Sequence, residues 1–171
     1  MAVVDYQVPS SIEVAVTLLA GSDIKAKVMA GGTDLIIQSK SQTSEPLRIL
    51  DLKHIREMLS YALSDAGLSL GPAMCCAEFT ALDDVKAWYP GLIEAAYLIG
   101  STQVQGRASI GGNLCNSSPA ADTVPALMAS SARCLIHGPE GARTVAVEDF
   151  VTGVGRNCMQ PGELLQRILI P

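Results

Sequence analysis

The protein has 171 residues, of which 49% are hydrophobic, 17% charged and 4% aromatic, and its formal net charge is −5. The charged fraction is low against the roughly 25% typical of soluble domains, which excludes a disordered chain. No apolar run reaches the roughly 20 residues that span a bilayer, and an acidic balance without a basic cluster argues against a nucleic-acid partner. This length suits one domain with its own core, or two small lobes that share a cleft.

Cysteine usage and the N-terminus indicate the compartment. The five cysteines are odd in number and form no Cys-x-x-Cys pair, which favours buried reduced thiols over a disulfide framework or a metal site. Residues 1–9 carry Asp5 and lack the basic region and long apolar segment of a signal peptide. We therefore expect a cytoplasmic protein without a membrane span.

Strand and helix patterns alternate along the first third of the sequence. Ser10, with Glu13 three residues later, forms a capping box at the start of the first helix, and Gly21 is a typical C-terminal stop. An alternating order of strands and helices predicts a small parallel sheet with right-handed crossovers. The predicted elements are a strand at Val3–Tyr6, a helix at Ile12–Leu19, a strand at Lys25–Ala30, a helix at Asp34–Lys40 and a strand at Arg48–Leu52.

The remainder of the chain has a different pattern. Ser64–Gly67 is typical of a hairpin turn between two short strands, and Pro125 suits the first turn of a later helix. The predicted elements are strands at Ser60–Leu63, Leu68–Leu70, Cys134–His137, Thr144–Val147 and Leu165–Ile170, and helices at Glu78–Trp88, at Leu92–Ile99 and from about Asp122. We predict an α+β fold with a small βαβαβ parallel-sheet lobe (residues 1–56) and a mixed-sheet α+β lobe (residues 57–171).

The first candidate site is a glycine motif between a strand and a helix. Glycine permits positive φ and a close backbone approach, and a helix start presents unpaired N–H groups, so this arrangement suits a phosphate. A plain tight turn remains the alternative, because the motif is neither a G-x-G-x-x-G fingerprint nor a Walker loop. Its residues are Val28, Met29, Ala30, Gly31, Gly32, Thr33, Asp34 and Leu35.

The second candidate site is the segment from Ser109 to Asp122. It combines Gly111 and Gly112 with small hydroxyl and amide side chains, including Asn113, and we expect its backbone N–H groups to form an anion-binding nest. The Asp122 carboxylate suits the hydroxyls of a ribose or ribityl chain, and the alternative is that it caps the following helix. Since Lys and Arg are nearly absent from both motifs, a diphosphate between them would be bound by backbone amides and hydroxyls.

Together, the two motifs resemble the FAD-binding subunit of molybdenum hydroxylases of the xanthine dehydrogenase and carbon monoxide dehydrogenase type. The resemblance is strongest at AGGTDL (Ala30–Leu35), SIGGN (Ser109–Asn113) and SPAADTVPAL (Ser118–Leu127), and weaker matches run through the whole chain. The resemblance implies that FAD lies extended between the lobes, with its pyrophosphate cradled by Val28–Leu35. It places Ser109, Gly111, Gly112 and Asn113 on the other side, Asp122 near the sugar or ribityl hydroxyls, and Ile99 and Leu165 close to the cofactor, although core packing explains the last two equally well.

The function implied by the resemblance is electron transfer. A molybdenum-pterin large subunit would oxidise the organic substrate, 2Fe–2S clusters of a small subunit would relay electrons to FAD, and FAD would pass them to NAD+ or another acceptor. No catalytic side chain and no metal ligand is expected in this chain. His54 and His137 are interpreted as surface or loop residues, and Cys75 with Cys76 cannot supply a four-thiolate cluster.

Family members usually continue into a C-terminal domain beyond the position of Ile170, and we expect that domain to be absent here. Apolar surface that it and the partner subunits cover would then be exposed, so we expect self-association or dependence on partners. An alternative function follows: a truncated, non-catalytic assembly module with weak or no FAD binding. A nicotinamide-dependent Rossmann dehydrogenase is disfavoured by the missing fingerprint.

Overall fold

The computed structural model describes residues 4–41 and 45–171, so Val3, the predicted start of the first strand, lies outside it. Residues 4–51 form a lobe around a three-stranded parallel sheet of order β1-β3-β2. In register, Met29 at the end of β2 lies opposite Asp51 at the end of β3, which places the turn after β2 beside the residues that follow β3. The elements are β1 (Val4–Gln7), α1 (Ile12–Ala20), β2 (Lys25–Met29), α2 (Leu35–Ser41) and β3 (Leu47–Asp51).

The first helix begins one residue later than its capping box predicts. Ser11, not Ser10, is the N-cap: its backbone is extended (φ −148°, ψ 169°) and its Oγ accepts a hydrogen bond from the amide of Val14. Ser10 is therefore wrong as the cap, because Ser11 is the residue directly before the first helical residue, Ile12, and its side chain makes the capping hydrogen bond. That face buries Ile12, Ala15 and Val16.

A hydrophobic cluster joins the two lobes. A 3-10 turn (Leu52–His54) and helix α3 (Arg56–Leu59) connect them. Leu52 and Met58 pack in one cluster with the α1 face and with Ala73 and Leu164 of the second lobe. Burial of shared apolar surface fixes the lobes against each other, and this contact sets the cleft between them.

The second lobe packs helices on an antiparallel sheet of order β4-β5-β10-β6-β7. Every pairing in this sheet is antiparallel, where the sequence predicted a mixed sheet. The last strand, β10, lies between β5 and β6. The elements are β4 (Tyr61–Ser64), β5 (Gly67–Leu70), α4 (Cys76–Thr80), α5 (Asp83–Trp88), α6 (Pro90–Tyr97), α7 (Thr102–Gln105), α8 (Ile110–Asn116), α9 (Thr123–Ala129), β6 (Arg133–Gly138), β7 (Gly141–Ala146), α10 (Val147–Phe150), β8 (Val151–Gly153), β9 (Arg156–Asn157) and β10 (Leu164–Ile170).

Two helix predictions in this lobe are corrected. The predicted helix Glu78–Trp88 is two helices, α4 and α5, because the chain turns at Ala81 and Leu82. The segment Ile110–Asn116, predicted as part of a loop, is helix α8. The predicted fold class, a parallel-sheet lobe followed by an α+β lobe, is confirmed, whereas the division at residues 56 and 57 stays a prediction.

The segment from residue 87 to residue 132 has only three charged residues, Glu94, Arg107 and Asp122, and it carries five exposed large hydrophobic side chains. Leu98 is 68% exposed and Tyr97 52%, and Trp88, Val104 and Met128 are also exposed.

His54 is exposed, and His137 is half-buried on β6. Within the described ranges, no helix is long and apolar enough to cross a bilayer.

Candidate cofactor cleft between the two lobes

A cleft of about 760 Å³ lies between the lobes. Three segments form most of its wall: the end of β2 with the turn that follows it, helix α8, and the chain that leads into β10. The structure brings all but one of the predicted site residues to this cleft, and Asp122 is the exception. Those in the wall are Val28, Met29, Ala30, Gly31, Gly32, Thr33, Asp34, Leu35, Ile99, Ser109, Gly111, Gly112, Asn113 and Leu165.

The turn after β2 forms the first wall and depends on its two glycines. Gly32 has a φ of +78°, a conformation that side chains with a Cβ rarely adopt. Gly31 lies directly against the second lobe, since a Cβ built on it would be 1.8 Å from the carbonyl oxygen of Arg107. The turn is therefore held in close backbone contact with the opposite lobe.

The amides of this turn are available to a ligand. Among the described residues, none of the N–H groups of Gly31, Gly32, Thr33 and Asp34 donates a hydrogen bond to the protein. Because backbone N–H groups are strong donors, consecutive unpaired amides in a cleft wall suit an anionic group such as a phosphate.

Helix α8 forms the second wall, and its first turn is already hydrogen-bonded to the protein. Ser109 is the N-cap, and its Oγ accepts from the amide of Gly112 at 3.0 Å. Gly111 donates its N–H to the Pro72 carbonyl at 3.1 Å, and a Cβ on Gly111 would lie 2.3 Å from the Pro72 Cβ. The predicted anion-binding nest is wrong here, because Gly111 serves the packing of α8 against Pro72.

Asn113 presents an oriented amide at the cleft. Its Oδ1 accepts two hydrogen bonds, from the Thr123 Oγ1 at 2.7 Å and from the Thr123 backbone N–H at 3.3 Å. Both partners of this atom are donors, so it is the amide oxygen and not the nitrogen. The amide nitrogen, Nδ2, lies at the other end and donates to no described residue. Asn113 therefore offers a donor to a ligand, and Thr123, which is completely buried, holds it in that orientation.

Asp122 is exposed and lies outside the cleft wall. The alternative that it caps α9 is wrong: its backbone is already helical (φ −61°, ψ −34°) and its side chain makes no capping hydrogen bond. The Asn113 Oδ1 accepts from the Thr123 amide instead. A contact between Asp122 and a sugar or ribityl chain stays a prediction.

Ile99 and Leu165 have two roles that the geometry allows together. Both line the cleft, and both belong to the main hydrophobic core of the second lobe, with 7% and 4% of their surface exposed. A packing role is therefore present, and a contact with the cofactor remains a prediction for each of them.

Lys27 is a residue of the cleft that the sequence motifs did not identify. It lies on β2, one residue before the first motif, and lines the cleft, so one basic side chain is present in the wall. Binding of a diphosphate by backbone amides and hydroxyls alone stays a prediction. Burial lowers the pKa of its ammonium group, and the charge of Lys25 lowers it further. The alternating orientation of side chains along β2 was the available signal, since it places Lys27 on the same face as Lys25 and Met29.

A third wall, Asn157–Leu165, was also missed as a continuous element. Glu163 anchors it: Arg143 donates from Nε to Oε1 and from Nη2 to Oε2, each at 2.7 Å, and the Gln160 amide donates to Oε2 at 2.6 Å. The hydrogen bonds from Arg143 hold the pKa of Glu163 below its usual range, against the opposing effect of burial. These hydrogen bonds to Glu163 fix the position of the chain immediately before Leu165.

The wall chemistry fits a dinucleotide with a flavin. Unpaired amides, the Asn113 Nδ2 and the Lys27 ammonium are donors suited to a diphosphate. Met29, Ile99 and Leu165 supply apolar surface suited to an aromatic ring system. Within residues 4–41 and 45–171, no group of three or more His, Cys, Asp or Glu side chains is arranged to hold a metal ion.

Comparison with known proteins identifies the family. The family model described as "FAD binding domain in molybdopterin dehydrogenase" matches residues 2–171. The chain belongs to this FAD-binding domain family.

Similar proteins are subunits of molybdenum-containing dehydrogenases. The carbon monoxide dehydrogenase medium chain of Afipia carboxidovorans is 34% identical over 98% of this chain and 58% of its own length. The xanthine dehydrogenase FAD-binding subunit of Escherichia coli O157:H7 is 30% identical over 97% of this chain and 57% of its own length. A solved CO dehydrogenase from Oligotropha carboxidovorans superposes on 98% of this chain and 58% of its own, with a TM-score of 0.93 at 32% identity. The FAD-binding domain described here therefore spans a little over half the length of these relatives.

Proposed function

We propose that this chain binds FAD in the interlobe cleft and acts as the electron-transfer flavin domain of a molybdenum hydroxylase-type dehydrogenase. The observation that carries the proposal is the run of unpaired amides from Gly31 to Asp34 in a cleft wall of this family's fold. When bound, FAD supplies the ability to exchange electrons singly or in pairs.

The residues of the chain bind and orient the cofactor. The amides of the turn after β2 hold the diphosphate, with the Lys27 charge and the Asn113 Nδ2 as further donors. Met29, Ile99 and Leu165 exclude water from the apolar part of the cleft. Binding by fixed backbone donors needs little rearrangement, because the turn is already held against Arg107 in the second lobe.

The proposed partners are a molybdenum-pterin large subunit and a 2Fe–2S small subunit, with NAD+ or another compound as the final acceptor. The support is that relatives are named as a medium chain or as an FAD-binding subunit of a dehydrogenase. The exposed Tyr97 and Leu98 lie beside Ile99 at the cleft and suit a surface covered by another protein or by a second copy of this chain.

The state of the cysteines supports the proposed compartment, and the limits of the two sheets support the proposed domain division. All five cysteines are free thiols, which supports a reducing cytoplasm. The proposed lobes are residues 1–56 and 57–171, since the parallel sheet ends at Asp51 and the antiparallel sheet begins at Tyr61.

A second candidate function is an assembly module of such a complex with weak or no FAD binding. The observation that favours it is the exposed Leu98 beside the buried Ile99 of the cleft, a position where a protein neighbour would complete the wall. Such a module would join the partner subunits without taking part in electron transfer.

A titration with FAD separates the two candidates. The purified chain should quench flavin fluorescence on binding, and Gly32→Val should weaken binding at least about ten-fold, because valine does not tolerate the φ of +78° at this turn. Gly141→Val is the matched control, with a φ of +106° in open space on the β6–β7 turn, and its FAD affinity should stay that of the unaltered chain. If the chain does not bind FAD but is pulled down by a molybdenum-pterin or iron–sulfur subunit, the result would instead support the assembly module.

A further inference from the structure

An ionic network around one buried carboxylate lies next to the turn that forms the first wall of the cleft. Asp51, at the end of β3, is only 3% exposed. Its carboxylate accepts hydrogen bonds from the Tyr6 hydroxyl and from the Lys53 Nζ, the latter at 2.6 Å, and the Lys53 backbone N–H also donates to it, at 3.0 Å. Burial alone raises the pKa of Asp51, but the hydrogen bonds from Lys53 and Tyr6 outweigh that effect and keep the carboxyl ionised.

The same lysine reaches into the turn after β2. Its Nζ donates to the backbone carbonyl oxygen of Ala30 at 2.9 Å. Ala30 lines the cleft and precedes the unpaired amide of Gly31. Lys53 therefore connects a buried carboxylate on one strand to the first peptide group of the cleft wall on the neighbouring strand.

This contact sets the direction of a peptide plane. The C=O of Ala30 and the N–H of Gly31 belong to one peptide group, and in a trans peptide they point in opposite directions. The described residues contain no cis peptide bond. Because Lys53 holds the Ala30 oxygen, the Gly31 N–H must point away from Lys53, and a peptide flip would break a charge-assisted hydrogen bond.

We infer that Lys53, held by Asp51 and Tyr6, is a positioning residue that orients the Gly31 amide for the diphosphate of the bound dinucleotide. This inference rests on the proposed FAD site and extends it to residues outside the glycine motif. Lys53 makes the turn rigid before the ligand arrives, so that little ordering cost remains on binding.

FAD titration of four variants tests this inference, with wild type as reference. Lys53→Met should weaken FAD binding about ten-fold, whereas Lys53→Arg keeps a donor and should stay within about two-fold. The double variant Asp51→Asn, Lys53→Met avoids an unpaired buried carboxylate and should bind as weakly as Lys53→Met. Lys86→Met, at an exposed position on α5, is the matched control and should bind FAD as wild type does.

Backbone ¹⁵N relaxation of the FAD-free chain supplies a readout that does not depend on the cofactor. The order parameters of the Gly31 and Gly32 amides should fall in Lys53→Met and in the double variant, and stay at wild-type values in Lys53→Arg. If these order parameters do not change, or if FAD affinity is unchanged in Lys53→Met, the inference is overturned. If the wild-type chain does not bind FAD, the proposed function fails, and the order parameters alone then decide whether Lys53 holds the turn.

Discussion

Replacing Gly31 by alanine would force the two walls of the cleft apart. The added Cβ would lie 1.8 Å from the carbonyl oxygen of Arg107, 2.5 Å from its carbonyl carbon and 3.0 Å from the amide nitrogen of Ala108. All three atoms are backbone, so no side-chain rotation relieves the overlap. Restoring an ordinary contact requires the turn to move away from the second lobe by about 1.5 Å.

The displacement has a cost in stability and a cost in binding. Overpacking in a rigid environment costs about 1–3 kcal/mol, and a purely backbone contact places Gly31→Ala at the upper end, about 3 kcal/mol. For a domain of this size that loss lowers the unfolding temperature by about 6–12 °C. The same movement withdraws the turn amides from their place opposite α8, so FAD affinity should fall at least about ten-fold.

Thermal unfolding measures the loss of stability and FAD titration the loss of affinity, each compared with a control variant at another glycine. Gly91, in helix α6, has no atom within 4 Å of an added Cβ, so Gly91→Ala should keep FAD affinity and gain up to about 1 kcal/mol of stability. A Gly31→Ala protein with the unfolding temperature and FAD affinity of the unaltered chain would refute the reasoning, because the close approach of the lobes would then be absent in solution.

Two further predictions concern the other walls. Thr123→Val removes the hydroxyl that orients the Asn113 amide, and a titration should show FAD affinity reduced several-fold with about 1–2 kcal/mol of stability lost; unchanged affinity would contradict this role. Glu163→Gln removes a carboxylate whose pKa Arg143 holds below its usual value of 4.5. Denaturant unfolding should show the wild type more stable than this variant at pH 7, with the difference lost as the pH falls below about 4.5; a constant difference would contradict it.

The glycine motifs were the part of the site that local sequence could identify. A strand followed by Gly31 and Gly32 and then by a helix start has few structural solutions, and the structure brings this turn to the cleft opposite Ser109 and Gly112. Gly112 faces the first wall, since an added Cβ would lie at ordinary contact distance, 3.8 Å, from the Ala30 Cβ. Spacing within each motif was therefore informative, because backbone geometry is a local property.

Residues that reach the cleft from distant parts of the chain could not be found in this way. The segment Asn157–Leu165 lies far from both motifs in the sequence and reaches the cleft wall only through tertiary packing. Thr123 acts on the wall only through its hydrogen bonds to Asn113. The helix at Ile110–Asn116 was missed because glycines and small polar residues are typical of loops. Tertiary contact with Pro72 stabilises this helix instead.

The sequence by itself determined the order of strands and helices in the first lobe, the α+β class and the two glycine motifs that carry the family resemblance. These features follow from side-chain periodicity and backbone conformational limits, which act over a few residues. Only the tertiary structure showed that Gly32 takes a positive φ in the turn of the cleft wall, whereas Gly111 packs against Pro72. It also brought Lys53 within hydrogen-bond distance of both the Asp51 carboxylate and the Ala30 carbonyl oxygen of the turn. The physical reason is that hydrogen bonds and steric contacts depend on distance in space, and the lobe interface brings together residues that the sequence separates.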